Sequence, residues 1–506
     1  MARGLQQFGA IRTFRDPVHL DIQVGPVAAA VIDTPLFQRL RYIRQTGLLH
    51  FVFPGAVHTR FSHCVGTMHM ARRVFTQLFQ EYRIPVAAAP AAPSAAQYVG
   101  TVFEVAALLH DLGHCAFSHS LENVRMSDQP FLRPMATIVS DWADEGLSAW
   151  WSKVIAEGQY APPDITEHEQ IGLLMMGLLF EGRYERVCDA IRSVLGVEPR
   201  VFADDVRAMV IGQLRPSARF RRDASQLVGR YVPRGTRLSA ELRAEDLLSA
   251  LHTLISGTLD VDRMDYLLRD SLHTGTVYGL YDADVLINAI TLHAVDGGER
   301  TRVELALQKR ATGALDDMLW GRYQLFSQVL NHKANVMLNA LLAQAIPEAI
   351  DEASVTYFGV PRTIDDFVLF TDDRVMSAVT RASLQSGRKG TVYDDALVSR
   401  VLPKYLSAVS LTGKPRADTT QVAAERTRLI DQHCARDPSR LREWKTRSDL
   451  VKGGGLPHVV RKDKGDNRIE VIAPGSAGAY QVVEWTKSGK LPASVGLHHF
   501  FLTRGR

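Results

Sequence analysis

The chain has 506 residues, 46% of them hydrophobic, which suits a large buried core and, at about 100 to 200 residues per domain, predicts more than one domain. Its formal net charge of +4 is too small to indicate nucleic-acid binding. The four cysteines are scattered without a Cys-x-x-Cys pair and indicate neither a zinc knuckle nor a disulfide framework, and no run approaches the roughly 18 apolar residues of a membrane helix.

The chain as a whole is predicted to be mostly helical. Residues 25–45 are predicted to be largely helix, with a start at Thr34 and Pro35, because proline is favoured at the first helical position. A turn then leads into a helix that carries His63, and Arg60 lies about one helical turn before it. Residues 86–97, rich in alanine and proline, predict an exposed loop inserted before the next helix.

The next stretch, His110-Asp111-Leu-Gly-His114-Cys-Ala-Phe-Ser-His119, holds three imidazoles and a carboxylate in ten positions. The apolar run before it predicts a buried helix that ends at His110 and Asp111. A neutral imidazole beside a carboxylate suits a divalent ion, whereas an isolated His-Asp pair is more often a hydrogen-bonded pair without an ion. His110 and His114 would share a face if the helix continued, and Gly113 leaves a turn or close packing open.

Further helices are predicted downstream, from apolar residues at helical spacing over 167–179, 184–195, 204–213 and 244–256. Residues 257–270 then combine six charges with apolar positions, so these charges need partners within the fold. A helix after Lys333 is expected to stop at Pro347.

Composition changes after about residue 350, which divides the chain into a core over 1–350 and a mixed α/β region over 351–506. In the latter, 469–473 and 480–485 have the β-branched and aromatic content of strands. The basic residues between 436 and 468 alternate with acidic ones, which favours a solvated linker over a nucleic-acid site.

The order of His63, then His110 and Asp111, then Asp262 resembles the metal-ligand pattern of the HD-domain phosphohydrolases. From about residue 12 to about residue 333, several separate motifs make the chain similar to the deoxynucleoside triphosphate (dNTP) triphosphohydrolases of that superfamily. This resemblance implies a mainly α fold, an HD-domain helical bundle with a smaller mixed α/β C-terminal region. It also implies metal-dependent hydrolysis of a dNTP to deoxynucleoside and triphosphate.

The resemblance implies a role for each site residue. A divalent ion (Mn, Fe, Zn or Mg), with Mg on the substrate phosphates, would be held by four ligands: His63, His110, Asp111 and Asp262. His119 would protonate the departing 5′-oxygen and Glu122 would orient its ring, while His114 and His168 would contact the α-phosphate or the attacking water. A histidine suits proton transfer because its ordinary pKa is about 6.5.

The remaining implied residues bind nucleotides. Those expected to bind substrate are Arg60, Arg263 and Arg322 for the triphosphate, and Gln45, Tyr266 and Asp270 for a deoxyribose. Phe326 and Leu330 stand where relatives have a histidine and a tyrosine, so base preference does not carry over. An activating nucleotide would be bound by Arg12, Asp33, Gln38 and Arg41, although the motif that contains most of them also suits a structural helix start.

Other functions remain open beside this one. The same metal site would serve a phosphodiesterase or nucleotidase, and a non-catalytic nucleotide sensor would use the fold as a receptor. Alarmone hydrolases are disfavoured, because Leu112-Gly113-His114 follows His110-Asp111 where that class has a Glu-Asp pair a few residues on, and cyclic-di-GMP enzymes are disfavoured because their Gly-Tyr-Pro signature is absent. We expect a cytoplasmic homo-oligomer without membrane contact, with a role in control of the dNTP pool or in defence against phage.

Overall fold

The computed structural model describes residues 11–86, 92–123, 125–126, 129–130, 138–139, 151–152, 167–232, 239–296, 300–352, 363–385, 402–410, 419–434, 441–449, 457–462, 469–472 and 494–502. The described residues are mainly helical and carry small sheets, which confirms the predicted fold class. None of the helices among them is long and apolar enough to cross a membrane.

The helices follow the chain as α1 Pro26–Ile32, α2 Pro35–Gln38, α3 Arg60–Leu78, α4 Ala95–Leu109, α5 His168–Phe180, α6 Glu185–Leu195, α7 Pro199–Ile211, α8 Ala218–Val228, α9 Ala240–Ser256, α10 Val261–Thr274, α11 Ala283–Ile287, α12 Thr312–Leu325, α13 Lys333–Glu352, α14 Ile364–Leu369, α15 Asp372–Gln385 and α16 Thr419–Leu429. The strands are β1 Arg12–Asp16, β2 Leu20–Val24, β3 Arg125–Met126, β4 Gln129–Pro130, β5 Ile290–Asp296, β6 Thr301–Gln308, β7 Lys404–Ser410, β8 Leu441–Asp449, β9 His458–Lys462, β10 Ile469–Ile472 and β11 Ser494–Leu502.

Helix α3 lies against both α4 and α10 in the middle of the core. The apolar residues of α4, such as Val102 and Phe103, are fully buried, and each such side chain contributes roughly 1.5 to 3 kcal/mol. At the contact with α10, a Cβ on Gly66 would lie 1.9 Å from Asp265 Oδ1. Glycine at this position therefore lets α10 approach α3 closely enough to bring its carboxylates to the buried face of α3.

Strands from the middle and from the C-terminal part of the chain form one sheet in the order β10-β9-β6-β5, in which β6 and β9 are parallel. A second sheet has the order β7-β11-β8, and β1 pairs with β2 in a hairpin. The strand predicted at 469–473 is present as β10, whereas the strand predicted at 480–485 lies outside the described residues. The sheet shared by β6 and β9 joins residues on both sides of the predicted domain boundary.

The four amphipathic patterns between 167 and 256 form helices α5, α6, α7 and α9 as predicted. The expected stop at Pro347 is wrong, because α13 continues to Glu352. A proline inside a helix removes one hydrogen bond and costs about 3 kcal/mol. Buried residues such as Leu338, Leu342 and Ile346 anchor α13 in the core and offset that cost. The insert predicted at 86–97 is also shorter than expected, since α4 begins at Ala95 behind a capping box made by Ser94.

Candidate metal centre and cavity

The chain leaves helix α4 at its C-cap, His110, and turns. Leu112 N–H donates to Leu109 O and His114 N–H donates to Asp111 O, so His110 and His114 do not share a helical face. A Cβ on Gly113 would lie 1.9 Å from His168 O, which shows that the start of α5 packs directly on this turn. The rings of His114 and His168 consequently stack with their centroids 3.7 Å apart.

The turn brings together the four side chains that the sequence predicts as metal ligands. His63 Nε2, on α3, lies 3.1 Å from Asp262 Oδ1 on α10 and 3.4 Å from Asp111 Oδ2. His110 Nε2 lies 3.3 Å from Asp111 Oδ1 and 3.6 Å from Asp262 Oδ1. Two imidazoles and two carboxylates from three helical segments thus face one point.

The chemistry of these side chains fits a divalent cation. His110 Nδ1 lies 2.8 Å from Ala107 O and His63 Nδ1 lies 2.8 Å from Asp265 Oδ2, so both Nδ1 atoms are engaged away from the centre. Among the described residues, neither buried Nε2 atom has a hydrogen-bond partner of good geometry. Imidazoles fixed through Nδ1, with Nε2 left toward carboxylates, are the arrangement that metal-binding histidines adopt.

The surrounding charges also call for a cation. Burial disfavours a charged imidazole, but the carboxylates of Asp111, Asp262 and Asp265 outweigh it and raise the pKa of His63 well above its ordinary value. The carboxylates around His63 therefore favour a positive charge at this centre. A divalent ion would satisfy the same carboxylates while the imidazoles stay neutral.

Asp265 is a supporting residue that was not predicted from the sequence. Its carboxylate accepts two hydrogen bonds of 2.8 Å from Arg269, and it contacts both His63 Nδ1 and His19 Nε2. Arg269 also donates to Asp16 in β1, so the network ties the N-terminal hairpin to α10. Asp265 follows Asp262 by three residues on the same helix, and this spacing was the one feature of the sequence that could have indicated its role.

Replacing Asp265 by asparagine should weaken Mn²⁺ binding by about 10- to 100-fold, because the amide no longer fixes the tautomer and orientation of His63. Isothermal titration calorimetry of the full chain with Mn²⁺ measures this change. Asp284→Asn, a charge change at an exposed position on α11, is the matched control and should bind as the unmodified chain does. Equal Mn²⁺ affinities for the two variants would contradict a supporting role for Asp265.

The second group of histidines lies on the other side of Asp111. His114 Nε2 is 3.3 Å and His168 Nε2 is 4.0 Å from Asp111 Oδ1, while Arg60 donates to Asp111 Oδ2. Burial, together with Arg60 and His168, holds the pKa of His114 well below its ordinary value, so this ring is neutral.

His119, the predicted proton donor, and Glu122, predicted to orient its ring, follow in the short 3-10 helix Ser118–Asn123. The exposed ring of His119 lies 4.7 Å from the ring of His114, centroid to centroid. Glu122 belongs to the same helix, but its side chain lies outside the described residues. The orientation of His119 by Glu122 therefore stays a prediction.

A cavity of about 620 Å³ opens above the centre. Its walls contain all of the residues predicted to bind substrate, three of the four predicted metal ligands and the second group of histidines. These residues are Gln45, Arg60, His110, Asp111, His114, His119, His168, Asp262, Arg263, Tyr266, Asp270 and Arg322. Phe326 and Leu330 also line it, from a π-helical turn between α12 and α13. Such turns interrupt helices frequently at functional sites.

Contacts fix two of the three side chains that are predicted to bind the sugar. Arg322 donates to the hydroxyl of Tyr266, and burial raises the pKa of Tyr266 to about 12, so the phenol is neutral near pH 7. Asp270 Oδ1 lies 2.7 Å from His58 Nε2. His58 stacks in turn on His273 and was not predicted to belong to the site.

The residues predicted to bind an activator form two pairs that lie outside the cavity. Arg12 donates to both oxygens of Asp33, at 2.8 and 2.7 Å. Gln38 donates to Ile32 O and accepts from Arg41, whose guanidinium also lies 3.5 Å from the centroid of a phenylalanine ring. The structure thus brings these side chains together in two pairs, and their binding of a nucleotide stays a prediction.

Similarity to known proteins is consistent with this site. No family model matches the chain. It is 25% identical over 366 residues to the deoxynucleoside triphosphate triphosphohydrolase SAMHD1 of Bos taurus, covering 71% of the chain and 52% of that protein, and 26% identical over 369 residues to SAMHD1 of Homo sapiens, covering 71% and 49%. An uncharacterized protein of Methanocaldococcus jannaschii is 24% identical over 378 residues, covering 74% of the chain and 58% of that protein. The chain spans about half the length of these curated relatives.

Solved structures extend the likeness to the whole fold. A phosphohydrolase from Bacteroides thetaiotaomicron matches with a TM-score of 0.59 and 20% identity, covering 98% of this chain and 100% of that one. A hypothetical protein from Aquifex aeolicus matches with a TM-score of 0.59 and 18% identity, covering 98% and 97%. The matches confirm that the chain resembles the HD-type deoxynucleoside triphosphate triphosphohydrolases.

Proposed function

We propose that the chain is a metal-dependent phosphohydrolase that cleaves dNTPs to deoxynucleoside and triphosphate. The observation that carries this proposal is that the imidazoles of His63 and His110 each lie within 3.6 Å of the carboxylates of both Asp111 and Asp262, beside a cavity that also holds a second histidine group and buried arginines. The names of the animal relatives support the dNTP substrate, and the fold shared with a phosphohydrolase supports the reaction class.

A divalent ion bound by these ligands would lower the pKa of a water molecule and offset negative charge on the substrate phosphates. Arg263 and Arg322 line the same cavity and supply positive charge for the triphosphate, which arginine holds through paired N–H groups. His114 is neutral and buried, so it can accept a hydrogen bond from the attacking water or donate one to the α-phosphate.

His119 is the group we assign to proton donation. Both His119 and His114 line the cavity, but His119 is exposed whereas His114 is buried, so His119 can exchange protons with solvent between turnovers. In the proposed step, water attacks the α-phosphorus, the bond from phosphorus to the 5′-oxygen breaks, and His119 gives its proton to that oxygen. The products are an intact deoxynucleoside and tripolyphosphate.

The sugar is assigned to the wall made by Gln45, Tyr266 and Asp270. Tyr266 presents a neutral phenol whose hydroxyl is already engaged by Arg322, so its ring can act as a close floor that leaves little room for a 2′-hydroxyl. His58 holds one oxygen of Asp270 and so orients the carboxylate for a 3′-hydroxyl. This arrangement supports a preference for deoxyribonucleotides.

The proposal also includes Mg²⁺ on the substrate phosphates, a homo-oligomer, activation by a nucleotide bound near Arg12, Asp33, Gln38 and Arg41, and a cytoplasmic role in dNTP pool control or phage defence. An activator at that group would have to exchange with the ion pair of Arg12 and Asp33. Activation is therefore expected to depend on ionic strength, since exposed ion pairs are screened by salt.

Incubation of the full chain with Mn²⁺ or Mg²⁺ and each dNTP, with and without GTP or a second dNTP, tests the proposal through its phosphate products. We expect tripolyphosphate and deoxynucleoside, with slower turnover of the matching ribonucleotides. Release of monophosphate or pyrophosphate would contradict the proposal in favour of a phosphodiesterase or nucleotidase. Nucleotide binding without turnover in any pairing would contradict it in favour of a sensor.

A further inference from the structure

A carboxylate from a distant part of the chain joins two loops beside the cavity. Asp372, the first residue of α15, accepts a 2.7 Å hydrogen bond from Phe117 N–H at Oδ1 and a 2.9 Å bond from Arg44 N–H at Oδ2. The guanidinium of Arg44 lies 3.6 Å from the same Oδ2. The side chain of Asp372 is fully buried, with 0% of its surface exposed. A single buried group thus holds backbone from both loops.

One of these loops has a strained backbone. Phe117 and Ser118 have φ values of 56° and 55°, in the left-handed region that residues other than glycine rarely adopt. Two such residues in succession persist only where surrounding contacts hold them, at a cost of about 1 to 3 kcal/mol each. The next residue is His119, so the strained turn sets where that imidazole enters the cavity.

The second loop reaches the cavity through Gln45. Ser118 Oγ donates to Arg44 O and accepts from Arg60 Nε, both at 3.0 Å, so the loops are also joined by a side chain near the metal centre. Gly47 has a φ of 56°, and a Cβ on it would lie 3.3 Å from Phe117 O. The two loops therefore pack backbone to backbone, with Asp372 behind them.

Placing a carboxylate in this position is costly. Burial raises the pKa of Asp372 to about 6, even though both backbone N–H groups and Arg44 favour its ionised form. Its neighbour Asp373 is 71% exposed and lies 3.4 Å from the Arg44 guanidinium, so a surface carboxylate already stands at the start of α15. Asp373 already pairs with the Arg44 side chain at the surface, whereas the buried Asp372 accepts from two backbone N–H groups.

We propose that Asp372 is a positioning residue that fixes the strained Phe117–Ser118 turn against the Arg44–Gly47 loop and thereby places His119 for proton donation. The part that concerns His119 rests on the proposed function. The joining of the two loops by Asp372 does not, and it can be measured without substrate.

Asp372→Asn tests the joining directly. Asparagine keeps one oxygen to accept a hydrogen bond but turns an NH₂ group toward the second backbone N–H, so one of the two bonds is lost. Hydrogen exchange followed by mass spectrometry on the Mn²⁺-loaded full chain should show about tenfold or faster exchange in peptides that contain 44–47 and 115–120. Peptides from α4 should be unchanged, as should all peptides of the matched control Asp373→Asn. Unchanged exchange in both loops would overturn the proposal.

Kinetics separate positioning from a general loss of structure. We expect Asp372→Asn to lower kcat for a dNTP by about 10- to 100-fold, with little change in KM or in bound Mn²⁺. The loss should be much smaller for bis(p-nitrophenyl) phosphate, whose leaving group needs no proton. Equal losses on both substrates together with loss of Mn²⁺ would overturn positioning of His119 and leave a purely structural residue.

A second variant and the substrate-free exchange experiment keep the proposal testable if Asp372→Asn does not fold or if the proposed function fails. If Asp372→Asn does not fold, Asp372→Glu keeps the charge but displaces the oxygens, and it should show the same faster exchange and a smaller loss of kcat. If the unmodified chain releases no tripolyphosphate, the proposed function fails, and the exchange experiment alone decides whether Asp372 joins the loops.

Discussion

Replacement of His110 by alanine or of Asp111 by asparagine should each abolish tight binding of Mn²⁺ and turnover of dNTPs. His110 Nε2 and Asp111 Oδ1 lie 3.3 Å apart, and each residue also lies close to His63 or Asp262, so loss of either leaves an incomplete donor set. Electrostatic stabilisation by a bound ion is worth several kcal/mol, and about 4 kcal/mol corresponds to about a thousandfold in rate. We therefore expect turnover to fall by about a thousandfold or more.

Metal content by inductively coupled plasma mass spectrometry and tripolyphosphate release measure the two halves of this prediction on the same samples. Asp284→Asn and His458→Ala are matched controls, since both positions lie away from the cavity, and both should keep metal and activity. Turnover that persists in His110→Ala or Asp111→Asn would show that the phosphate chemistry takes place at another site.

The second large effect is expected at His119. His119→Gln should keep the metal, because the metal centre is built from other residues, but lower kcat for a dNTP by about a hundredfold to ten-thousandfold through loss of the proton donor. On bis(p-nitrophenyl) phosphate the same variant should lose little activity. This difference between substrates is specific to a group that protonates the leaving oxygen.

Steady-state kinetics of His119→Gln on both substrates, with bound Mn²⁺ measured in parallel, test this assignment. His50→Gln is a matched control, since His50 lies close in the chain to Gln45 but is absent from the cavity wall. Equal losses on the two substrates would assign His119 to binding or structure. A loss confined to KM would assign it to substrate binding alone.

Helices were predicted well from sequence, because apolar spacing within one helix is a local property. The patterns between 167 and 256 correspond to α5, α6, α7 and α9. Pro347 shows the limit of this reasoning. The local preference of proline predicted that the helix ends there. The helix continues because burial of the α13 residues on the N-terminal side of the proline outweighs the lost hydrogen bond.

The candidate site was predicted in part for a different reason. The four residues assigned as ligands were predicted because their order along the chain resembles a known pattern. Helical spacing alone did not place any of them near another helix. The sequence left a turn or close packing open at Gly113, and the structure has both, since His168 O occupies the space of a Cβ.

The supporting residues were out of reach of sequence reasoning. His19 and Asp265 are 246 positions apart in the chain, and Phe117 and Asp372 are 255 apart. Nothing in the local pattern around an aspartate indicates whether a backbone N–H or an imidazole from so distant a segment will meet it. Such contacts follow from how α3, α10 and α15 are arranged, and they determine how firmly the candidate catalytic groups are held.

The most direct test of the account is the fate of an oxygen label. The dNTP that the Mn²⁺-loaded full chain turns over fastest is incubated in ¹⁸O-enriched water, and both products are analysed by mass spectrometry. Attack on the α-phosphorus with departure of the 5′-oxygen predicts one ¹⁸O in tripolyphosphate and none in the deoxynucleoside. Label in the deoxynucleoside, or label in pyrophosphate or monophosphate products, would contradict the account.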